Sequence, residues 1–457
     1  MLPDERDTIV GVATPPGAAG IAVIRLSGAA ALEIALRLVP ALRGAPPERK
    51  LQLCRVVQPE GQELLDVALV CVMRGPRSYT AEDVVELQTH GGPATVAAVV
   101  GALQRAGARM AAPGEFTLRA YLHGRIDLTE AEAVGALVGA QSERARRIAL
   151  RQLSGGLGEA LGRLRAGCID VLAEVEARLD FPEEELSVFP QLEVESRLTP
   201  LLRELDAMLA RVGEARLARE GARVVLLGRP NVGKSSLLNA LLGRERAIVH
   251  EAPGTTRDYL EDELSLGGVR MTIVDTAGQR SEGVDAAEAL GGRRGMEQAR
   301  SADLVLVVIN LAEGLTAGDR ELLRELGDGE HWAVLNQSDR VDEAAVRGVR
   351  GSLEHVIVTS AKSGAGVEEL RRKLLERFAG ESAFDELPLV SERRHEAALW
   401  TVRERLEQAR VGLAAAEPPE LVALVLREAA EHLGRVSGHS VSEDVLEAIF
   451  SRFCIGK

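Results

Sequence analysis

The hydrophobic pattern of this 457-residue chain changes character along its length. Over residues 1–120, short apolar runs at Thr8–Val12, Gly20–Leu26, Val67–Met73 and Val84–Leu87 predict strands. Pro93–Ala106 predicts a helix, and Pro15-Pro16-Gly17 and Pro113-Gly114 predict turns. From Leu128 the apolar positions recur at helical spacing to about Asp180, with a break at Gly155-Gly156. They resume from about Leu192 to Glu220. Thr129-Glu-Ala-Glu132 predicts a capping box at the first of these helices. Residues 221–380 alternate strand and helix, and Glu392–Gly412, Pro419–Gly434 and Ser442–Phe453 are helical again. Helical stretches on both sides of a complete α/β unit predict one helical domain with the α/β unit inserted. The expected divisions are 1–122, 123–220, 221–380 and 381–457.

Composition narrows the class. Hydrophobic content of 46% with 27% charged residues describes an ordinary globular chain. No apolar run reaches the roughly 18 residues of a membrane span, and the N-terminus lacks a signal peptide's basic and apolar regions. Four scattered cysteines (54, 71, 168, 454) give neither a disulfide framework nor a zinc spacing, which fits a cytoplasmic location. A net charge of −14 and 3% aromatics argue against a general nucleic-acid coat, so RNA contact would be local and electrostatic. Arg144, Arg147 and Arg151, at helical spacing, share one face that could hold phosphates or simply be solvated.

The chemistry concentrates at Gly228–Ser235 (Gly-Arg-Pro-Asn-Val-Gly-Lys-Ser), between an apolar strand and a helix-like run. That context marks a phosphate-cradling loop, in which backbone N–H groups and a helix N-terminus face an anion. Asn231, Val232, Gly233, Lys234, Ser235 and Ser236 are its candidate nucleotide contacts, with Lys234 on the β- and γ-phosphates and Ser235 on Mg²⁺. Thr255 and Thr256 in a Gly-Thr-Thr-Arg-Asp run suit a γ-phosphate sensor. Asp275-Thr-Ala-Gly278 places a carboxylate near Mg²⁺ and a glycine N–H near the γ-phosphate. Asn336-Gln-Ser-Asp339 supplies a carboxylate for guanine's ring N–H and amino group. Ser360-Ala361-Lys362 supplies an N–H for its carbonyl. The nucleotide expected is GTP. Gln279 could orient the attacking water, Glu282 and Glu288 lie further along the same loop, and Asn231 could face a bound K⁺. In the N-terminal part, Arg25, Glu86, His90 and Arg125 are polar residues near strand ends.

With these residues read, the chain resembles the tRNA-modification GTPase family MnmE (TrmE). The resemblance covers nearly the whole length. Its most specific marks are Ala13–Gly17, Pro113–Thr117 with Arg119–Leu122, and the terminal Phe453-Cys-Ile-Gly-Lys457. It implies a multidomain α/β and α+β chain: a P-loop, Ras-like G domain inserted into an all-helical domain, preceded by a small α+β folate-binding and dimerising domain. It further implies a 5-formyltetrahydrofolate-type cofactor held by Arg25, Glu86, Arg125 and Lys457. K⁺ would lie at Asn231, His250, Ala252 and Thr255, Mg²⁺ at Ser235 and Thr256, and Cys454 becomes a reactive residue. The implied partners are a second copy of the chain, an FAD-dependent protein (MnmG, or GidA) in a heterotetramer, and tRNA. The implied product is an aminomethyl or carboxymethylaminomethyl group on the wobble uridine. Three departures stand out. Gln337 replaces the usual lysine of Asn-Lys-x-Asp, and Gln279 stands where the family has an apolar residue. The loop after Gly278 is also longer, leaving Glu288, then Gln279, as candidates for positioning water. Two other readings compete: a regulatory or ribosome-associated GTPase switch without folate chemistry, and a structural dimer with degenerate activity.

Overall fold

The computed structural model describes residues 7–44, 46–61, 63–180, 191–243, 260–275, 295–327, 329–379, 390–454 and Gly456. They fall into two compact units. One comprises Met1–Gly139, Ala149–Leu209 and Arg393–Lys457; the other comprises Ala140–Ile148 and Ala210–Glu392.

The first unit begins with β1 (Ile9–Val12), β2 (Ala19–Ser27), α1 (Ala31–Leu38), β3 (Gln52–Val57), β4 (Leu64–Met73), β5 (Val84–Gly91), α2 (Pro93–Arg105) and β6 (Arg109–Met110). The sheet runs β3-β4-β5-β2-β1-β6. β2 lies antiparallel between β1 and β5, with Arg25 opposite Gly11 on one side and Glu86 on the other. Successive side chains alternate between faces. Ile24 and Leu26 therefore enter the core with Ile34 and Val99, which leaves Arg25 on the opposite face.

Helices α3 (Glu115–Leu122), α4 (Leu128–Val138), α5 (Glu143–Leu153), α6 (Gly156–Asp180) and α7 (Gln191–Leu209) follow. The expected capping box is displaced by two residues. Asp127 caps α4 by accepting from Glu130 N, while Glu130 accepts from Asp127 N. Glu132 turns instead to Arg394 and His395, whose side chains approach it at 2.8 and 2.6 Å. The arginine face on α5 is also divided. Arg144 donates to the Phe378 carbonyl at 3.1 Å, whereas Arg147 is exposed and pairs with Glu143.

The second unit contains α8 (Val212–Glu220), β7 (Ala222–Leu227), α9 (Lys234–Leu242), β8 (Leu260–Leu266), β9 (Val269–Asp275), β10 (Leu304–Asn310), α10 (Ala317–Leu326), β11 (His331–Asn336), α11 (Glu343–Arg350), β12 (Val356–Val358) and α12 (Val367–Ala379). The order is β12-β11-β10-β7-β9-β8, parallel except for β8. All of β10 is buried, as a parallel strand covered on both faces requires. β7 sits between β9 and β10, so successive connections leave it in opposite directions. That reversal opens a crevice at the carboxyl ends of the strands. The chain then completes the first unit with α13 (Arg393–Ala414), α14 (Pro419–Ser437) and α15 (Glu443–Phe450), α14 packing on α6 and α13.

Candidate functional site

The loop between β7 and α9 lies at that crevice. Asn231 has φ of 63° and Gly233 of 96°, so the backbone curls through the left-handed region twice before the helix begins at Lys234. A Cβ on Gly233 would stand 2.4 Å from Asn336 Nδ2, so a side chain there would displace the loop. Lys234 is buried and donates to the carbonyls of Gly228 and Arg229, both at 2.8 Å. Burial lowers its pKa, with the Asp275 charge working in the opposite direction. Ser235 Oγ donates to Asp275 Oδ2 at 2.6 Å, the carboxylate itself being buried at the end of β9. A hydroxyl beside a buried carboxylate is a hard-oxygen pair that suits Mg²⁺. Asn231 is exposed on the loop, Ser235 and Ser236 are exposed in the first turn of α9, and Val232 is buried beneath the loop.

Three strand ends build the base-facing part. Asn336, at the end of β11, donates from Nδ2 to Val232 O at 3.1 Å and accepts at Oδ1 from Ala361 N at 3.1 Å. One buried side chain thus ties the phosphate loop to the loop after β12. Ser360 Oγ donates to Asp339 Oδ1 at 2.6 Å, which holds the carboxyl below its ordinary range. Gly233, Ser236, Asn336, Gln337, Asp339, Arg340, Ala361 and Lys362 line an open cleft of about 630 Å³. It offers the Asp339 carboxylate, an acceptor suited to guanine's ring N–H and amino group. The bond from Ser360 to Asp339, and the presence of Arg340 in the cleft, were not visible in the sequence motif.

In the first unit, Arg25 Nε donates to Glu86 Oε1 at 2.8 Å, and its Nη1 donates to Gly456 O at 3.4 Å. The guanidinium lies 5.7 Å from the Phe116 ring centroid and 5.8 Å from that of Tyr79. Tyr79 shares a 2.9 Å hydrogen bond with Thr117. Burial raises its hydroxyl pKa, against the Thr117 bond and the charges of Arg25 and Arg125. Arg125 is exposed just after α3. Arg25, Glu86 and Arg125, grouped by the family resemblance, therefore share one region around Tyr79, and the C-terminal segment reaches it. Gly456 has φ of 96°, and a Cβ there would sit 2.3 Å from Val12 O. Gly114 N donates to Cys454 O at 3.4 Å, and the Cys454 side chain is exposed.

The Pro113–Leu122 segment earns its distinctive sequence by bracing this region. Glu115 is buried and binds Arg109 and Arg119, and Arg119 also reaches Glu82 and Asp7 O. Tyr121 donates to Gly438 O at 2.7 Å. His90, by contrast, pairs with Asp66 and takes no part. His250, Ala252, Thr255, Thr256, Gly278, Gln279, Glu288 and Lys457 lie outside the described residues.

Comparison with known proteins identifies the family. The family described as "GTP-binding protein TrmE N-terminus" matches residues 8–125, and "MnmE helical domain" matches residues 128–454. The proteins named tRNA modification GTPase MnmE from Moorella thermoacetica and Symbiobacterium thermophilum are each 43% identical to the chain, over 463 and 459 residues. These matches cover 99% of the chain and 99% and 100% of the two relatives. The corresponding protein of Roseiflexus is 42% identical over 462 residues, again 99% of this chain. The chain belongs to the MnmE family of tRNA modification GTPases.

Proposed function

We propose that this tRNA modification GTPase uses GTP hydrolysis to drive addition of an aminomethyl or carboxymethylaminomethyl group at C5 of a wobble uridine. In this reading a folate supplies the one-carbon unit and an FAD-dependent partner supplies the redox chemistry. The observation that carries the nucleotide half is the Asn336–Ala361–Ser360–Asp339 arrangement beside the phosphate loop. Lys234 would turn its ammonium to the phosphates. Ser235 and Asp275, with Thr256, would hold Mg²⁺, which supplies charge neutralisation at the phosphates when bound. Asn231, with His250, Ala252 and Thr255, would hold K⁺. Its exposed side chain on a left-handed turn is free to offer an amide oxygen. Glu288 or Gln279 would position the attacking water.

The folate half rests on the Arg25–Glu86 pair meeting the C-terminal backbone at Gly456. A carboxylate accepts from the amino and ring N–H groups of a pterin, and Arg25 and Arg125 suit its anionic tail. Lys457 would complete the site, with Cys454 close by in the chain. We assign residues 1–122 to the folate-binding and dimerising domain, 123–220 and 381–457 to the helical domain, and 221–380 to the G domain. The arrangement works in the cytoplasm, as a homodimer joined by its partner in a heterotetramer. GTP turnover in K⁺ against Na⁺, for the wild-type chain and Asn231→Ala, tests the cation assignment. Strong K⁺ stimulation lost in the variant is expected; cation-independent turnover would remove K⁺ and favour Gln279.

A further inference from the structure

We infer that Arg340, held in place by Gln337, is the cation that lies against the face of the bound guanine base. In this chain two residues divide the work that a single lysine does in the usual Asn-Lys-x-Asp loop. The inference rests on the guanine-nucleotide reading of the cleft.

Lysine at the second position of that loop has two tasks. Its stem and charge cover the base, and its ammonium ties the loop to the phosphate loop. Glutamine is too short and uncharged for the first task. It can still approach the phosphate loop. Gln337 has φ of 63°, a conformation that a non-glycine residue adopts only when its surroundings hold it there. Its Nε2 sits 3.9 Å from the position a Cβ on Gly233 would take, so the amide lies beside the phosphate-loop glycine. The nitrogen side of the amide therefore faces the phosphate loop, to which Asn336 is bonded.

The oxygen side carries the other half. Arg340 Nη1 donates to Gln337 Oε1 at 3.0 Å, and Arg340 N donates to Gln337 O at 3.1 Å. The backbone bond closes a short turn over Ser338–Arg340, and the side-chain bond draws the exposed guanidinium back toward Gln337. Arg340 then lines the same cleft as Asp339 and Asn336, and its charge acts on the Asp339 carboxyl. A guanidinium is planar, permanently charged and weakly hydrated, so it stacks on a purine face better than an ammonium does. Restricting it beforehand through Gln337 reduces the ordering cost of binding. Arg340 is thus a base-binding residue, and Gln337 is the residue that positions it.

The test uses the full-length chain and fluorescent GDP displaced by unlabelled GDP or ADP. The set is the wild type, Arg340→Ala, Gln337→Ala, Gln337→Lys and the double variant Gln337→Lys/Arg340→Ala. Arg340→Ala should weaken GDP binding by about 3- to 30-fold, with an unchanged melting temperature in the absence of nucleotide. Gln337→Ala should weaken it as well. In the Gln337→Lys background, removing Arg340 should have little effect, because the lysine takes over both tasks. Arg340→Ala binding GDP within about twofold of the wild type would overturn the inference. So would equal losses from Arg340→Ala in both backgrounds. Failure of the wild type to prefer GDP over ADP would instead overturn the guanine reading, with no bearing on how Gln337 holds Arg340.

Discussion

The two candidate sites of this chain are built in opposite ways. The nucleotide cleft takes its chemistry from short contiguous segments, each at the carboxyl end of a strand in one parallel sheet. The N-terminal site takes Arg25 from β2, Glu86 from β5, aromatic rings from Tyr79 and Phe116, and a carbonyl from Gly456, 431 residues beyond Arg25. In the first, each segment carries its function locally and the sheet only aligns them. In the second, no segment carries the function and the assembly creates it. A local change should therefore abolish one property of the cleft cleanly, whereas the assembled site should also respond to distant changes that loosen the segments meeting there.

The sharpest way to break this contrast is at Asp339. Replacing the carboxylate by an amide leaves the loop intact but exchanges one acceptor for a donor. Asp339→Asn should weaken GDP binding by at least about 1,000-fold, since the base's donors then face an unmatched group. Xanthosine diphosphate, which carries a carbonyl in place of the amino group, should bind the variant better than the wild type does. Competition binding with the two diphosphates checks this. An Asp339→Asn protein that still prefers GDP would mean the base is read elsewhere.

Glu132 probes the distant support. Burial pushes its carboxyl up, but the bonds from His395 and Arg394 outweigh this and bring it from 4.5 to about 2. A carboxyl depressed in the folded state stabilises the fold above pH 4.5, and that contribution disappears as pH falls toward 2. It amounts to about 3 kcal/mol. Thermal melts of the wild type and Glu132→Gln should accordingly differ most above pH 5 and converge in acid. A constant difference across that range would show that the ion pairs do not supply the support.

Gly456→Ala should have the smallest effect and the most selective one. Its Cβ would meet the Val12 carbonyl in a backbone conformation that alanine resists. The C-terminal segment should shift, weakening folate binding about tenfold while leaving GDP binding unchanged. Calorimetric titration with 5-formyltetrahydrofolate checks it. Unaltered folate affinity would separate the C-terminus from the site.

The same contrast explains what the sequence could and could not reveal. Gly228–Ser235 was legible because strand, loop and helix follow one another without a gap, and Asn336–Asp339 because it directly follows an apolar strand. The strand β3 and helix α1 were missed; in β3, at the sheet edge, Cys54 and Val56 face the core while Leu53 and Arg55 face outward, so the apolar residues do not follow a clean alternation. At α4 two overlapping patterns compete, Asp127-x-x-Glu130 and Thr129-x-x-Glu132, and each satisfies the local rule. The choice falls to Asp127 because Glu132 is claimed by residues about 260 positions later, a contact that no local pattern contains. Glu115 and Arg119, legible in the sequence only as part of a family mark, form a buried pair. Arg340 carries no motif at all. Its place in the cleft follows from the turn that Gln337 makes.

The measurement that tests the account most directly is a paired titration of the full-length chain with GDP and with 5-formyltetrahydrofolate. It would compare the wild type, Asp339→Asn and Arg25→Ala. The account predicts that the wild type binds both ligands, that Asp339→Asn loses only GDP, and that Arg25→Ala loses folate by about 10- to 100-fold while binding GDP normally. Folate bound equally well by Arg25→Ala, or GDP retained by Asp339→Asn, would contradict it.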